Sequence, residues 1–295
     1  MKKTVYKTLK RLGYTITNDD KRKLEISNQV KEFGIHSDTN NIVFRSMKWI
    51  KELKEFYPEL KLESEKNGVI AQFNNLKFFI ESPEEFYILS EVFVEKDYNF
   101  LSNDNFVVFD IGMNIGISSL FFSKMENVHK VYSFEPALIT YNQAKYNFDI
   151  NPEFSNKIEA FNFGLGGNTR VEKVFFDHQA KGNCGIRLEL SPSINLNRAV
   201  EIDIPIKDVQ TIIPNLIEKQ TDKKIFFKID CEGAEYEIIE RLNEQKIFYY
   251  IDYLVIEWHD KGATSLEKIL LANNFNVISR NLGTISGIIY AIKKV

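Results

Sequence analysis

An apolar run, Val107-Val108-Phe109, leads into Asp110-Ile111-Gly112-Met113-Asn114-Ile115-Gly116. This pattern predicts a buried strand, a glycine turn and the start of a helix. Gly112 and Gly116 carry no Cβ, so the backbone can turn sharply there and approach a ligand closely. Amides at the start of the following helix favour a carboxylate, and the Asp110 carboxylate suits an ammonium group. Such a pair fits an amino-acid moiety and would repel a pyrophosphate. The glycines are spaced G-x-x-x-G, not the G-x-G-x-x-G of dinucleotide sites. Glu135 stands 25 positions after Asp110, at the end of a second apolar run and before Pro136. A carboxylate there can accept both hydroxyls of a ribose. A third such end, Asn162-Phe163-Gly164, should border a purine, with Asn162 at its edge and Gly164 leaving room for the ring. The expected cofactor contacts are thus Asp110, Gly112, Asn114, Gly116, Glu135, Pro136, Asn162, Gly164 and Asp230. Each has a plainer structural explanation when taken alone. Together they select a nucleoside carrying an amino acid, S-adenosyl-L-methionine, over NAD.

Acids and a base gather further along, in Asp230-Cys231-Glu232-Gly233-Ala234-Glu235 and in Glu257-Trp258-His259. Glu257 and His259 lie two apart at a strand end and should share a face. Transfer of a methyl group from a sulfonium needs little covalent help. Holding the reactants in line can account for about 7–11 kcal/mol of barrier lowering, and a placed base adds about 10²–10⁴ in rate. His259 is the leading base, because an unperturbed histidine (pKa about 6.5) is largely neutral at pH 7. Asp230 or Glu232 is the alternative, and one of Glu232 and Glu235 could simply cap the helix after Gly233. Tyr98, Glu232, Glu257, Asn183 and Arg187 are the expected substrate contacts. Asp230, Glu232, Glu257 and His259 could also hold a divalent ion, but their spacing does not require one and no metal is expected.

The elements that must position these groups read as an α/β fold. Five short apolar runs, Phe106–Asp110, Lys130–Glu135, Ile158–Phe163, Ile225–Asp230 and Tyr253–Glu257, alternate with amphipathic stretches and predict a parallel sheet. Ligands bind such sheets at the carboxyl ends of the strands, near the point where strand order reverses. Phe275–Arg280 and Ile285–Lys293, joined through Asn281-Leu282-Gly283, predict an antiparallel closing hairpin. Before the sheet come a helix over Ile42 to Tyr57, a hairpin of Val69–Phe73 and Lys77–Ile80 turning at Asn74-Asn75, and a helix opened by Pro83. The expected organisation is an N-terminal helical extension over 1–67, then a domain over 68–295. That domain carries a substrate-shaping insertion at about 166–208, with β-like stretches Val171–Phe176 and Val200–Ile206. A helix over Val209 to Lys219 follows, which Pro214 could bend or break.

Bulk properties set the frame. The chain has 295 residues, 44% of them hydrophobic and 27% charged, as expected of a globular protein with a substantial core. A net charge of −3 offers nucleic acid no general attraction, and none is expected as a partner. The two cysteines, Cys184 and Cys231, are expected as reduced thiols in the cytoplasm. Lys2, Lys3, Lys7, Lys10 and Arg11 accompany Val5, Leu9 and Leu12 on one helical face. That face is expected to dock on the domain; the alternative is peripheral contact with the inner face of a membrane. No run is long enough for a transmembrane span. Oligomeric state is not written in the sequence.

Several of these segments resemble the FkbM-type methyltransferases. The resemblance runs through Glu91-Val92-Phe93-Val94-Glu95-Lys96-Asp97-Tyr98, the Asp110–Gly116 loop and Phe134-Glu135-Pro136. Its most distinctive parts are Lys228-Ile229-Asp230-Cys231-Glu232-Gly233-Ala234-Glu235 and Val255-Ile256-Glu257-Trp258-His259. It covers roughly Val69 to Val295. Met113 departs from the small residue common in that family and would tighten the pocket. Leu9-Lys10-Arg11-Leu12-Gly13-Tyr14 looks like the start of members found in bacterial glycan clusters. The resemblance implies a Rossmann-like seven-stranded methyltransferase sheet and O-methyl transfer to a carbohydrate or glycan precursor, as in surface-glycan biosynthesis. The alternatives are a small natural-product acceptor, a non-catalytic cofactor-binding partner subunit, or an NAD-dependent oxidoreductase. No Asn/Asp-Pro-Pro-aromatic motif of nucleic-acid methylation stands at the fourth strand end.

Overall fold

Apolar runs flanked by turn residues become strands wherever both faces can be covered, and seven of them build the central sheet. The structure, a computed structural model, describes residues 40–100, 102–185, 194–220 and 222–294, with Asn28, Val30, Lys31, Phe33 and Ile35. Helices α1 (Asn40–Arg45) and α2 (Met47–Phe56) come first, then strands β1 (Lys61–Glu65), β2 (Gly68–Phe73) and β3 (Leu76–Ile80). Helix α3 (Pro83–Ser90) runs into a π-helical turn, Glu91–Glu95. The βα units follow: β4 (Phe106–Ile111), α4 (Ile117–Lys124), β5 (Val128–Phe134), α5 (Leu138–Asp149), α6 (Pro152–Ser155) and β6 (Ile158–Phe161). Then come β7 (Gly164–Gly166), β8 (Arg170–Phe176), β9 (Val200–Asp208), α7 (Val209–Ile217), β10 (Lys224–Ile229) and α8 (Glu235–Glu244). Strand β11 (Tyr253–His259), α9 (Thr264–Ala272), β12 (Phe275–Asn281) and β13 (Ser286–Lys293) close the fold.

The central sheet has the order β12-β13-β11-β10-β4-β5-β6. Strands β11, β10, β4, β5 and β6 pair in parallel, and β13 pairs antiparallel with both β11 and β12. The predicted parallel sheet with a closing hairpin is therefore present. Sequence order reverses between β4 and β10, which opens the crevice that such sheets use for ligands. Asp110 lies one residue before the end of β4 and Asp230 just beyond β10, so both stand beside it.

Three local readings change. The expected helix over Ile42 to Tyr57 is interrupted at Ser46, whose buried hydroxyl donates to the Ile42 carbonyl at 2.7 Å. The predicted hairpin gains a third strand, since β1 pairs antiparallel with β2. Alternation in Lys61–Glu65 is masked because only Leu62 is buried there. Helix α7 continues through Pro214, its start capped by the Asp208 carboxylate, which accepts from the Gln210 amide at 2.9 Å. The insertion forms a separate small sheet, β7-β9-β8.

One apolar cluster joins the N-terminal elements to the domain: Val43, Met47, Ile50 and Leu53 share a core with Phe73, Phe93, Phe106 and Val108. Phe93, in the π turn, is its hub. Its ring lies 5.0 Å from that of Phe73 and 5.5 Å from those of Phe78 and Phe121, each near edge-to-face. Trimming a buried aromatic to alanine removes that contact area and leaves a cavity. Phe93→Ala is accordingly expected to lower stability by about 3–5 kcal/mol in denaturant unfolding. A loss below about 1 kcal/mol would show that the N-terminal elements do not dock through this ring.

Candidate active site

The turn after β4 is held from both sides. The Gly112 and Met113 amides donate to the Phe134 carbonyl at 3.1 and 3.0 Å, and the Asp230 amide donates to Ile111 O at 3.0 Å. Gly112 has φ +81°, and a Cβ there would stand 1.7 Å from the Asp230 carbonyl. Only glycine fits, both for its backbone angle and for space. Gly116, at φ +86°, starts α4 against the Phe148 ring.

Asp110 is fully buried beneath this turn and does not line the cavity above it. Its carboxylate accepts from the Ser118 and Ser119 hydroxyls at 2.7 and 2.6 Å and lies 3.3 Å from the Lys228 ammonium. In this structure it organises the loop from below. Lys228 is itself buried; its Nζ donates to Gly112 O at 2.5 Å, lies 3.4 Å from Asp230 and sits 5.3 Å above the Tyr98 ring. Burial alone would lower the pKa of this lysine, but Asp110 and Asp230 outweigh it and hold the pKa raised. Lys228 was not among the residues expected at the site. A lysine inside the apolar run Ile225–Ile229 was the available signal.

A cavity of about 680 Å³ opens over the strand ends. Gly112, Asn114, Glu135, Pro136 and Gly164 line one part, and Tyr98, Asp230, Glu232, Glu257 and His259 another. Asn183 lies on the insertion segment that covers it. Gly116 and Asn162 do not line it. The Asn162 amide instead donates to the carbonyls of Glu135 and Pro136 at 3.0 and 3.2 Å, bracing the wall. Arg187 lies outside the described residues, as does the basic N-terminal face. Among the described residues no helix is long and apolar enough to cross a membrane.

The first part of the cavity fits the nucleoside inferred from the sequence. Glu135 is buried at the end of β5, accepts the Ala137 amide at 2.9 Å, and burial pushes its pKa up to about 7. Hydroxyl donors would relieve that cost. The Asn114 side-chain oxygen is buried without a hydrogen-bond partner among the described residues. A Cβ on Gly164 would meet Ile206 at 2.8 Å and Pro136 at 3.3 Å, so the glycine keeps a narrow slot open.

The second part is crowded with carboxyl groups. His259 is buried, with Nδ1 3.3 Å from Glu235, and Nε2 3.6 Å from Glu232 and 3.7 Å from Glu257. Glu235 also accepts the His259 amide at 2.7 Å. Burial alone would lower the histidine's pKa, but the Glu235 hydrogen bond and the charges of Glu232, Glu235 and Asp230 raise it to about 10. The expectation of a largely neutral His259 at pH 7 is therefore corrected: three carboxylates keep an imidazolium there. Asp230 accepts from the Tyr98 hydroxyl at 3.1 Å. Glu232 has φ +48°, a left-handed backbone that an ordinary side chain adopts at some cost. Among the described residues, no three His, Cys, Asp or Glu groups are arranged to hold a metal ion.

Two further acids lie on this wall without having been expected at the site. Burial and the nearby charges of Asp230, Asp97 and Glu95 push Glu91 up to about 8, and a hydrogen bond from Tyr87 opposes the shift only in part. Burial raises Glu84 to about 7 against the hydrogen bond it accepts from the Gly182 amide at 3.1 Å. Glu257 is likewise held well above the ordinary carboxyl range by burial and by Asp230.

In the folded chain Glu84, Glu91, Glu135 and His259 thus bind more protons than in the unfolded one. Stability then falls as pH rises. The contribution is complete below pH 4.5, is lost through about 7 to 8 for the carboxyls and through about 10 for the histidine. Scanning calorimetry of the cofactor-free protein should show a melting temperature that declines from about pH 5 to about pH 8, with a shallower decline in Glu91→Gln. A level or rising temperature over that window would contradict the buried acids.

With this geometry in view, known proteins offer a comparison. The family model for the methyltransferase FkbM domain matches residues 110–277. Methyltransferase 1 of Beauveria bassiana is 28% identical over 200 residues, spanning 63% of this chain and 78% of that protein. Methyltransferase sdnD of Sordaria araneosa is 23% identical over 223 residues, spanning 68% and 85%. A crystal structure of methyltransferase FkbM from Methylobacillus flagellatus KT aligns with a TM-score of 0.46 at 15% identity, over 92% of this chain; this chain spans 59% of that one. Matched across both the glycine turn and the acid/base loop, the chain belongs to the FkbM methyltransferase family and is an S-adenosylmethionine-dependent methyltransferase.

Proposed function

We propose that the protein is an O-methyltransferase whose acceptor is a hydroxyl of a carbohydrate or glycan precursor. The observation that carries this reading is the group of carboxyls, Asp230, Glu232, Glu257, Glu91 and Glu84, on the cavity wall. Carboxylates accept hydrogen bonds from hydroxyls, and a sugar presents several in a small volume. The members of the group that carry charge would repel an anionic acceptor. We place the enzyme in the cytoplasm, acting in surface-glycan synthesis, and take 1–67 as an extension of the 68–295 domain.

Bound S-adenosylmethionine supplies a methyl group on a sulfonium, an electrophile that needs no activation. Gly112, Asn114, Glu135, Pro136 and Gly164 hold it from their part of the cavity, with Asp110 shaping the loop beneath. The remaining task is to hold the acceptor oxygen in line and take its proton. Asp230 does this best: its carboxylate faces the cavity, and Tyr98 and Lys228 fix it. Methylation of the acceptor oxygen would break the sulfonium's bond to its methyl carbon and leave S-adenosylhomocysteine, and the hydroxyl proton would pass to the Asp230 carboxylate. His259 cannot accept a proton while it is an imidazolium. It instead gathers Glu232, Glu235 and Glu257 around one cation and keeps their repulsion in check.

Asp230→Asn should retain S-adenosylhomocysteine binding by calorimetry while kcat falls by about 10²–10⁴, the usual contribution of a placed base. A variant with near-normal kcat would remove Asp230 from that role. Gly112→Ala should abolish binding of the same ligand, because its Cβ collides with the Asp230 carbonyl. Incubating the enzyme with methyl-labelled cofactor and neutral methyl glycosides tests the acceptor class. No transfer to any of them, with transfer to a phenolic acceptor, would replace the carbohydrate reading by a natural-product one.

A further inference from the structure

The family match covers residues 110–277, yet much of the acid-rich wall comes from outside that span. Helix α1 contributes Arg45 and α2 contributes Trp49, while α3 and its π turn contribute Glu84, Tyr87 and Glu91. The Trp49 and Tyr87 rings are 5.7 Å apart at an interplanar angle of 57°, and Tyr87 is 41% exposed although it lines the cavity. Their position is held by packing. Met47, Ile50 and Leu53 bury one side of α2 in the core, against which Trp49 also packs, and the Ser90 hydroxyl donates to Glu52 at 3.2 Å, tying α2 to α3. From Tyr87 a hydrogen bond leads to Glu91, next to Asp230, which Tyr98 holds at 3.1 Å. The aromatic pair is thus linked through Glu91 to the Asp230 side of the cavity.

We infer that Trp49 and Tyr87 form the acceptor platform, on which an uncharged pyranose ring stacks while Glu91 and Glu84 accept hydrogen bonds from its hydroxyls. Apolar C–H faces of a sugar match an aromatic ring, and hydroxyls at the ring edge match carboxyls beside it. This rests on the carbohydrate reading and deepens it. It makes acceptor choice a property of the N-terminal helices, while the 110–277 segment keeps the cofactor and the proton acceptor. An aromatic pair in a cavity wall is more often plain core. Here Tyr87 is too exposed for that reading, and Trp49 is only partly buried against the core.

The test is steady-state kinetics of the full chain, following S-adenosylhomocysteine release, with methyl glycosides of common hexoses and with the corresponding hexose 6-phosphates. Trp49→Ala and Tyr87→Ala should each raise the KM for the best neutral glycoside by about tenfold, the equivalent of one lost stacking contact. The kcat should stay within about threefold and S-adenosylhomocysteine affinity should be unchanged; Trp49→Phe should restore most of the KM. Unchanged affinity and melting temperature show that the variants fold. Wild-type turnover of a glycoside with unaltered KM in both alanine variants would overturn the platform and leave the carbohydrate reading standing. Preference for the 6-phosphates would also overturn it, because Arg45 would then be the recognition group. Failure of every sugar to be methylated would remove the carbohydrate reading itself, and the platform with it.

Discussion

The site depends on one buried ammonium. Lys228 sits among the Gly112 carbonyl, Asp110 and Asp230, where β4 and β10 part. Without it two carboxylates would share a low-dielectric pocket, and one would have to take up a proton. With it, the glycine turn and the Asp230 carboxylate, both facing the crevice, are fixed by the same group. A buried charge is costly unless paired, and here the pairing is shared between the site's two halves.

His259 repeats the arrangement one strand further along. Its ring lies within 4 Å of Glu232, Glu235 and Glu257, so two cations organise most of the acids on the sheet edge. The remainder, Glu84, Glu91 and Glu135, are left with raised pKa values. In each, burial outweighs the hydrogen bond that the carboxyl accepts, from Gly182, Tyr87 and Ala137 in turn.

The insertion closes the cavity from above. Lys181 is buried on it and ion-pairs with Glu81 at 2.6 Å and with Glu85 at 3.1 Å, while the Gly182 amide donates to Glu84. This part of the insertion is thus anchored to α3 by charge. Residues 81–85 and 181–183 are far apart in sequence, and no local periodicity predicts their meeting.

The sequence alone determined the sheet, because short apolar runs with period-two or fully buried character have few other uses, and glycine at positions 112 and 164 betrays a close approach of backbone or ligand. It also determined the chemistry at the strand ends, where Glu135, Asp230 and Glu257 stand on short runs whose carboxyl ends must meet. Tertiary structure decided what each group does. Asp110 looked like a ligand contact, but Ser118, Ser119 and Lys228 claim it from below. His259 looked neutral until Glu235, Glu232 and Asp230, all from the segment after β10, came beside it, since a pKa depends on neighbours in space. Trp49, Tyr87 and Glu91 were indistinguishable from ordinary helix residues. Their place on the cavity wall arises only when the Phe93 core docks the N-terminal helices beside β10 and β11.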